Sequence, residues 1–120
     1  MPFYGKNGII ISMPRRSNAA DMLPSPVERA LADFGENLRV ARKRRRETMQ
    51  SFAERMQVSV PTLRKMEAGD PTVSISVYAM ALWLVGRVQF LPRIADPAAD
   101  QTALALELQN LKSGGKGVQR

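Results

Sequence analysis

The segment SFAERMQVSVPTLRKMEAGD, residues 51–70, carries helical spacing that loses phase once and then recovers it. Phe52, Ala53 and Met56 share one helical face, Val58 falls out of step, and Leu63 and Met66 resume three apart. One straight helix cannot bury both sets, so the chain must turn between them. Ser59 is a good N-cap residue, and Pro61 is tolerated two positions later because the first N–H groups of a helix have no intrahelical acceptor. The second helix therefore starts at Ser59. Thr48 can cap the preceding helix in the same way, which leaves Gln57-Val58-Ser59 as a three-residue turn between helices of about two turns each. This is the outline of a helix-turn-helix.

The flanks extend an all-α pattern. Ser25-Pro26-Val27-Glu28 has the form of a capping box, and Leu31, Phe34, Leu38 and Ala41 follow at helical steps, predicting a first helix from about Pro26 to Arg45. Ala68-Gly69-Asp70-Pro71 closes the third helix with a left-handed glycine cap and a proline beyond it. A fourth helix is expected from Ser74 through Val85, ended by Gly86. Its apolar residues exceed one stripe. Ile75, Tyr78, Ala79, Leu82 and Val85 are assigned to the core face, while Val77, Met80, Ala81, Trp83 and Leu84 spread round the other side. An apolar area of that size marks an interface, so these residues, continued by Val88 and Phe90, are expected to form a homodimer seam. The competing cover is a fifth helix at about Phe90 to Ala95, or the tail. Asp96-Pro97 restarts a helix, and residues 103–108 fit a helix through Leu104, Leu108 and Leu111 or a strand through Leu104, Leu106 and Leu108; helix is expected. The organisation is a mobile N-terminal arm (1–24), a five-helix domain (25–95), and a C-terminal helix with a disordered basic tail (96–120).

Composition narrows the chemistry. A chain of 120 residues supports one compact core. It has no Cys and no His, which removes disulfides, thiolate metal sites, and the commonest base and metal ligand. No apolar run approaches the roughly 20 residues of a membrane span, so a cytoplasmic protein is expected, with no cofactor or metal. The basic charge is local. Six of the eight residues from Arg39 to Arg46 are Arg or Lys, and Arg64 and Lys65 bring the total to eight against a net charge of +7. A charge run is often a solvated face or a helix end complementing its dipole. Six cations within about two turns repel one another more than that role requires, and a bound polyanion would relieve them.

Residues 34–86, from Phe34 to Gly86, resemble the XRE family of lambda-repressor-like helix-turn-helix DNA-binding domains. Ala53 with apolar Phe52, Met56, Val58, Leu63 and Met66, together with the Glu67-Ala68-Gly69 ending, stand where that family has such residues. The chain departs from it at Gln57, where a turn glycine is usual and a left-handed side-chain residue costs on the order of 1 kcal/mol, and at Met49, where a phosphate-gripping glutamine is usual and Gln50 comes next. The resemblance implies a five-helix lambda-repressor-like fold and a structural ion pair between Arg42 and Glu67. It also implies that the helix from Ser59 enters the major groove of double-stranded DNA. There Val60, Pro61, Thr62, Arg64 and Lys65 would meet base edges, with Arg64 the first choice for reading guanine. Lys43, Arg44, Arg45, Arg46, Gln50 and Ser51 would hold phosphates. A twofold dimer would read an inverted-repeat operator with half-sites about 34 Å apart. The stretch from Asp70 resembles small HipB-like regulators, which implies a repressor acting as the antitoxin of a HipA-like kinase toxin. A stand-alone repressor is the alternative.

Three other function classes fit less well. A protein-binding adaptor on this fold would not need Arg64 and Lys65. An enzyme working through carboxylates would need a ligand spacing that the eleven acidic residues do not show. An RNA-binding role meets a major groove too narrow for a helix.

Overall fold

The computed structural model describes residues 22–113. The expected arm up to residue 21 and the expected basic tail from residue 114 lie outside the described residues. Within them the chain is helical, with no strand: α1 (Ser25–Arg44), α2 (Met49–Met56), α3 (Val60–Glu67), α4 (Ile75–Leu84) and α5 (Gln101–Lys112), with 3-10 segments at Val88–Arg93 and Pro97–Ala99.

Local chemistry sets most boundaries. Thr48 Oγ1 accepts from Ser51 N at 3.0 Å to start α2, and Ser59 Oγ accepts from Thr62 N at 3.2 Å to start α3. Gln57 takes the left-handed conformation (φ 61°, ψ 41°) between them, so the turn keeps its geometry without glycine. The start of α1 differs from expectation. Pro24, extended at φ −62° and ψ 150°, is the cap, and its carbonyl accepts from Val27 N and Glu28 N at 2.9 and 3.1 Å. Ser25 is thereby drawn inside the helix, and the capping box does not form.

The core comprises Leu38 from α1, Phe52, Ala53 and Met56 from α2, Leu63 and Met66 from α3, and Tyr78, Ala81 and Val85 from the α4 region. Two assignments on α4 are corrected. Ala81, placed on the outward seam, is fully buried, and Ile75, placed inward, is 65% exposed. Almost every position of α4 is apolar, so periodicity cannot choose a face. Specific contacts of Tyr78 choose it instead. Its ring stacks on Phe34 at 5.2 Å between centroids, and its hydroxyl donates to Asp70 O at 2.9 Å. With Tyr78 held inward, Ala81 and Val85 follow on the same face, and Val77 and Leu84 lean against the core beside them.

The predicted fifth helix at Phe90 to Ala95 is a 3-10 segment, Val88–Arg93. Pro92 within it has no N–H to donate and its ring opposes an α-helical turn. Beyond it, Asp96 caps only the 3-10 turn Pro97–Ala99, and Asp100 caps α5 by accepting from Ala103 N at 3.0 Å. Residues 103–111 are helical, not a strand. No described helix is long and apolar enough to cross a membrane.

Candidate nucleic-acid interface

Two contacts fix α3 against α1. A Cβ added at Gly35 would meet Gly69 N, Met66 O and Glu67 O at 2.6–2.7 Å, and one at Gly69 (φ 76°) would meet Leu31 O at 2.3 Å. Only bare backbone permits that approach. Farther along α1, Arg42 Nε donates to Glu67 Oε2 at 2.7 Å and Nη2 to Oε1 at 3.1 Å, while Nη1 donates to Glu47 O at 2.8 Å. Both partners are nearly buried, at 5% and 6% exposure. The carboxylate receives a planar fork, and among the described residues no buried side-chain polar atom lacks a hydrogen-bond partner. Glu67 is therefore scaffold.

With Leu63 and Met66 at zero exposure, α3 is anchored along one side and presents the other. Pro61, Arg64 and Lys65 are exposed, and Thr62 is half-buried. Thr62 Oγ1 accepts from Ser59 Oγ at 3.0 Å, which leaves its own hydroxyl proton free to donate. Val60 leans against the core, so of the two apolar residues expected at a thymine methyl, Pro61 is the one presented to solvent.

The two cations of α3 face different grooves. Arg64 lines an open groove of about 610 Å³ between α1 and α3, together with Glu36, Arg39, Lys43 and Met49. Lys65 lines a separate groove with Glu28, Leu31, Asp70 and Thr72. The arginine run is divided as well. Lys43 shares the Arg64 groove, whereas Arg44 and Arg45 line a groove of about 540 Å³ with Val85, Gly86 and Arg87. Arg45 donates to Ala41 O at 2.8 Å and to Val85 O at 3.1 Å, closing the C-terminal ends of α1 and α4. Arg46 follows in a left-handed conformation, φ 55°. Of the expected phosphate-holding cations, Lys43 therefore lines one groove and Arg44 and Arg45 another. At the start of α2, Gln50 is exposed, but Ser51 Oγ donates to Glu47 Oε1 at 3.4 Å, and Glu47 also pairs with Arg55.

Arg39 is the residue that the sequence reading left without a role. Its spacing of four from Lys43 puts both on one side of α1, and that spacing was the available signal. Gly35, which sets the helix separation, gave no signal, because a glycine inside a helix looks merely unfavourable until its neighbour is known. Among the described residues, no group of three or more His, Cys, Asp or Glu is placed to hold a metal ion. Burial, and then the charge of Asp70, push the Tyr78 hydroxyl above its ordinary value of 10.0.

Comparison with protein-family models, with curated proteins and with solved structures yields no match to this chain.

Proposed function

We propose that this chain is a cytoplasmic, sequence-specific double-stranded DNA-binding regulator, acting as a repressor, with α3 entering the major groove. The carrying observation is the two-sidedness of α3: Leu63, Met66 and Glu67 lock it to the body, while Pro61 and Arg64 are exposed and Thr62 is half-buried beside them. Arg64 can donate two parallel hydrogen bonds to guanine, Thr62 one hydroxyl, and Pro61 can touch a thymine methyl. Lys43 and Gln50 supply backbone contacts that fix register.

A second copy would dock through the outward side of α4. Met80 and Trp83 (63% exposed) form its centre, with Val77, Leu84, Val88 and Phe90 at its margin. Ala81 takes no part. Two copies neutralising about eight phosphates would give a slope of log K against log salt near −7. The resemblance of the segment from Asp70 to HipB-like regulators supports a HipA-like kinase toxin as partner of the same molecule.

Footprinting on the DNA upstream of the chain's own gene tests the proposal. Protection of an inverted repeat, lost in Arg64→Ala, is the expected result; protection that the variant retains in full refutes the readout role of Arg64. Co-purification with the product of a neighbouring gene tests the toxin partner, and repeated absence of such a product leaves a stand-alone repressor.

A further inference from the structure

Arg39 stands at the α1 edge of the groove that Arg64 enters from α3. Its Nε lies 3.3 Å from Glu36 Oε1, and the two side chains are 40% and 54% exposed. We propose that this groove seats one phosphate of the DNA backbone between Arg39 and Lys43, and that Glu36 fills the phosphate's place in the free protein. The inference rests on the DNA-binding function proposed above and adds a ligand group and an internal competitor to it.

The charges of the groove support the assignment. Three cations line it outside the buried pair: Arg39, Lys43 and Arg64. Of its two carboxylates, Glu67 is held by the fork of Arg42 and is not free to neutralise them. Glu36 is left as the single counter-ion, and it reaches Arg39 alone; Lys43 and Arg64 make no ion pair among the described residues. Arg39 and Lys43, four apart on one helix, repel each other until an anion lies between them. An exposed pair three apart such as Glu36–Arg39 is held weakly, so a phosphate that also engages Lys43 displaces the carboxylate. The frame does not need to move to admit it. The Gly35–Gly69 contact and the Arg42–Glu67 pair hold both walls, so the backbones that carry the cations are fixed before DNA arrives. Arg64, on the opposite wall of the groove, is left for the base edges.

The test uses the full chain and a short mixed-sequence duplex, titrated across a salt series by fluorescence anisotropy. Arg39→Ala is expected to lower the steepness of log K against log salt by about 1. Arg29→Ala, an exposed cation on the same helix outside the groove, is expected to leave it unchanged. Glu36→Gln is expected to raise affinity about two- to fivefold, and Asp33→Asn, an exposed carboxylate nearer the start of α1, to change it less. Arg39→Gln, which keeps the packing of the stem, repeats the first measurement, and unfolding curves confirm that each variant is folded. Equal slopes for the Arg39 and Arg29 variants, or no gain from Glu36→Gln, overturn the inference. If the wild type binds in an Arg64-dependent way while Arg39→Ala keeps the full slope, this inference alone falls; if the wild type does not bind the duplex, both fall.

Discussion

Helices α3 and α5 are both short, both capped by a side-chain oxygen, and opposite in what holds them. In α3, Ser59 caps the start and Leu63 and Met66 are fully buried against α1 and α2. In α5, Asp100 caps the start, yet Leu104, Leu106, Leu108 and Leu111 remain 46–64% exposed. A helix of 12 residues is marginal in water when only its own hydrogen bonds and cap support it. The contrast shows where rigidity resides. A helix proposed to present side chains to a duplex needs its own position fixed by the body, and α3 has that support while α5 lacks it.

Breaking the Arg42–Glu67 pair tests this difference most severely. Glu67→Ala leaves a buried guanidinium unpaired and is expected to destabilise the fold by about 3–5 kcal/mol, read by chemical denaturation. The paired change Arg42→Met with Glu67→Leu is expected to recover most of that loss, because an apolar pair of similar volume leaves no buried charge. Next, Leu63→Ala in α3 is expected to cost about 2–5 kcal/mol. Its counterpart Leu108→Ala in α5 should stay within about 0.5 kcal/mol; a loss from Leu108→Ala as large as that from Leu63→Ala would mean that α5 packs on the body.

The caps sharpen the comparison at smaller scale. Ser59→Ala is expected to lower global stability by about 1 kcal/mol, since α3 unfolds only with the domain. Asp100→Ala should instead reduce helical signal from residues 101–112 and leave the unfolding midpoint in place. The smallest effect concerns pH. Tyr78, buried on the α4 side of the same core, has a folded pKa above its ordinary value of 10.0. Its contribution is fully present below that value and is lost as pH rises through the folded pKa, because the unfolded chain ionises first. Stability of the wild type is thus expected to fall above about pH 10, and Tyr78→Phe, compared by thermal melts, to show a shallower fall.

The two-helix unit was legible because local chemistry dictates it. Ser59 and Thr48 announce their helices, Pro61 marks a first turn, and the phase break at Val58 demands a bend. The core face of α3 followed from Leu63 and Met66 three apart. On α4 the same reasoning failed, because with Ile, Val, Leu, Met, Trp and Ala all round the helix, hydrophobicity carries no direction. The face is chosen by the contacts of Tyr78 with Asp70, in the preceding loop, and with Phe34, which is distant in sequence. The arrangement of the cation run was hidden for a related reason. Composition registers six charges, and the resemblance pairs Arg42 with Glu67, but tertiary structure is needed to tie Arg45 to backbone carbonyls and to put Arg39 and Lys43 in one groove with Arg64.

Binding of the full chain to duplex DNA, compared between wild type and Arg64→Ala over a range of salt concentrations, tests the central claim most directly. The account predicts tight, steeply salt-dependent binding by the wild type and a loss of about 1–3 kcal/mol in Arg64→Ala on its operator, with the variant's thermal melt unchanged. Binding that does not depend on salt, or an Arg64→Ala variant that binds as tightly as the wild type, would contradict it.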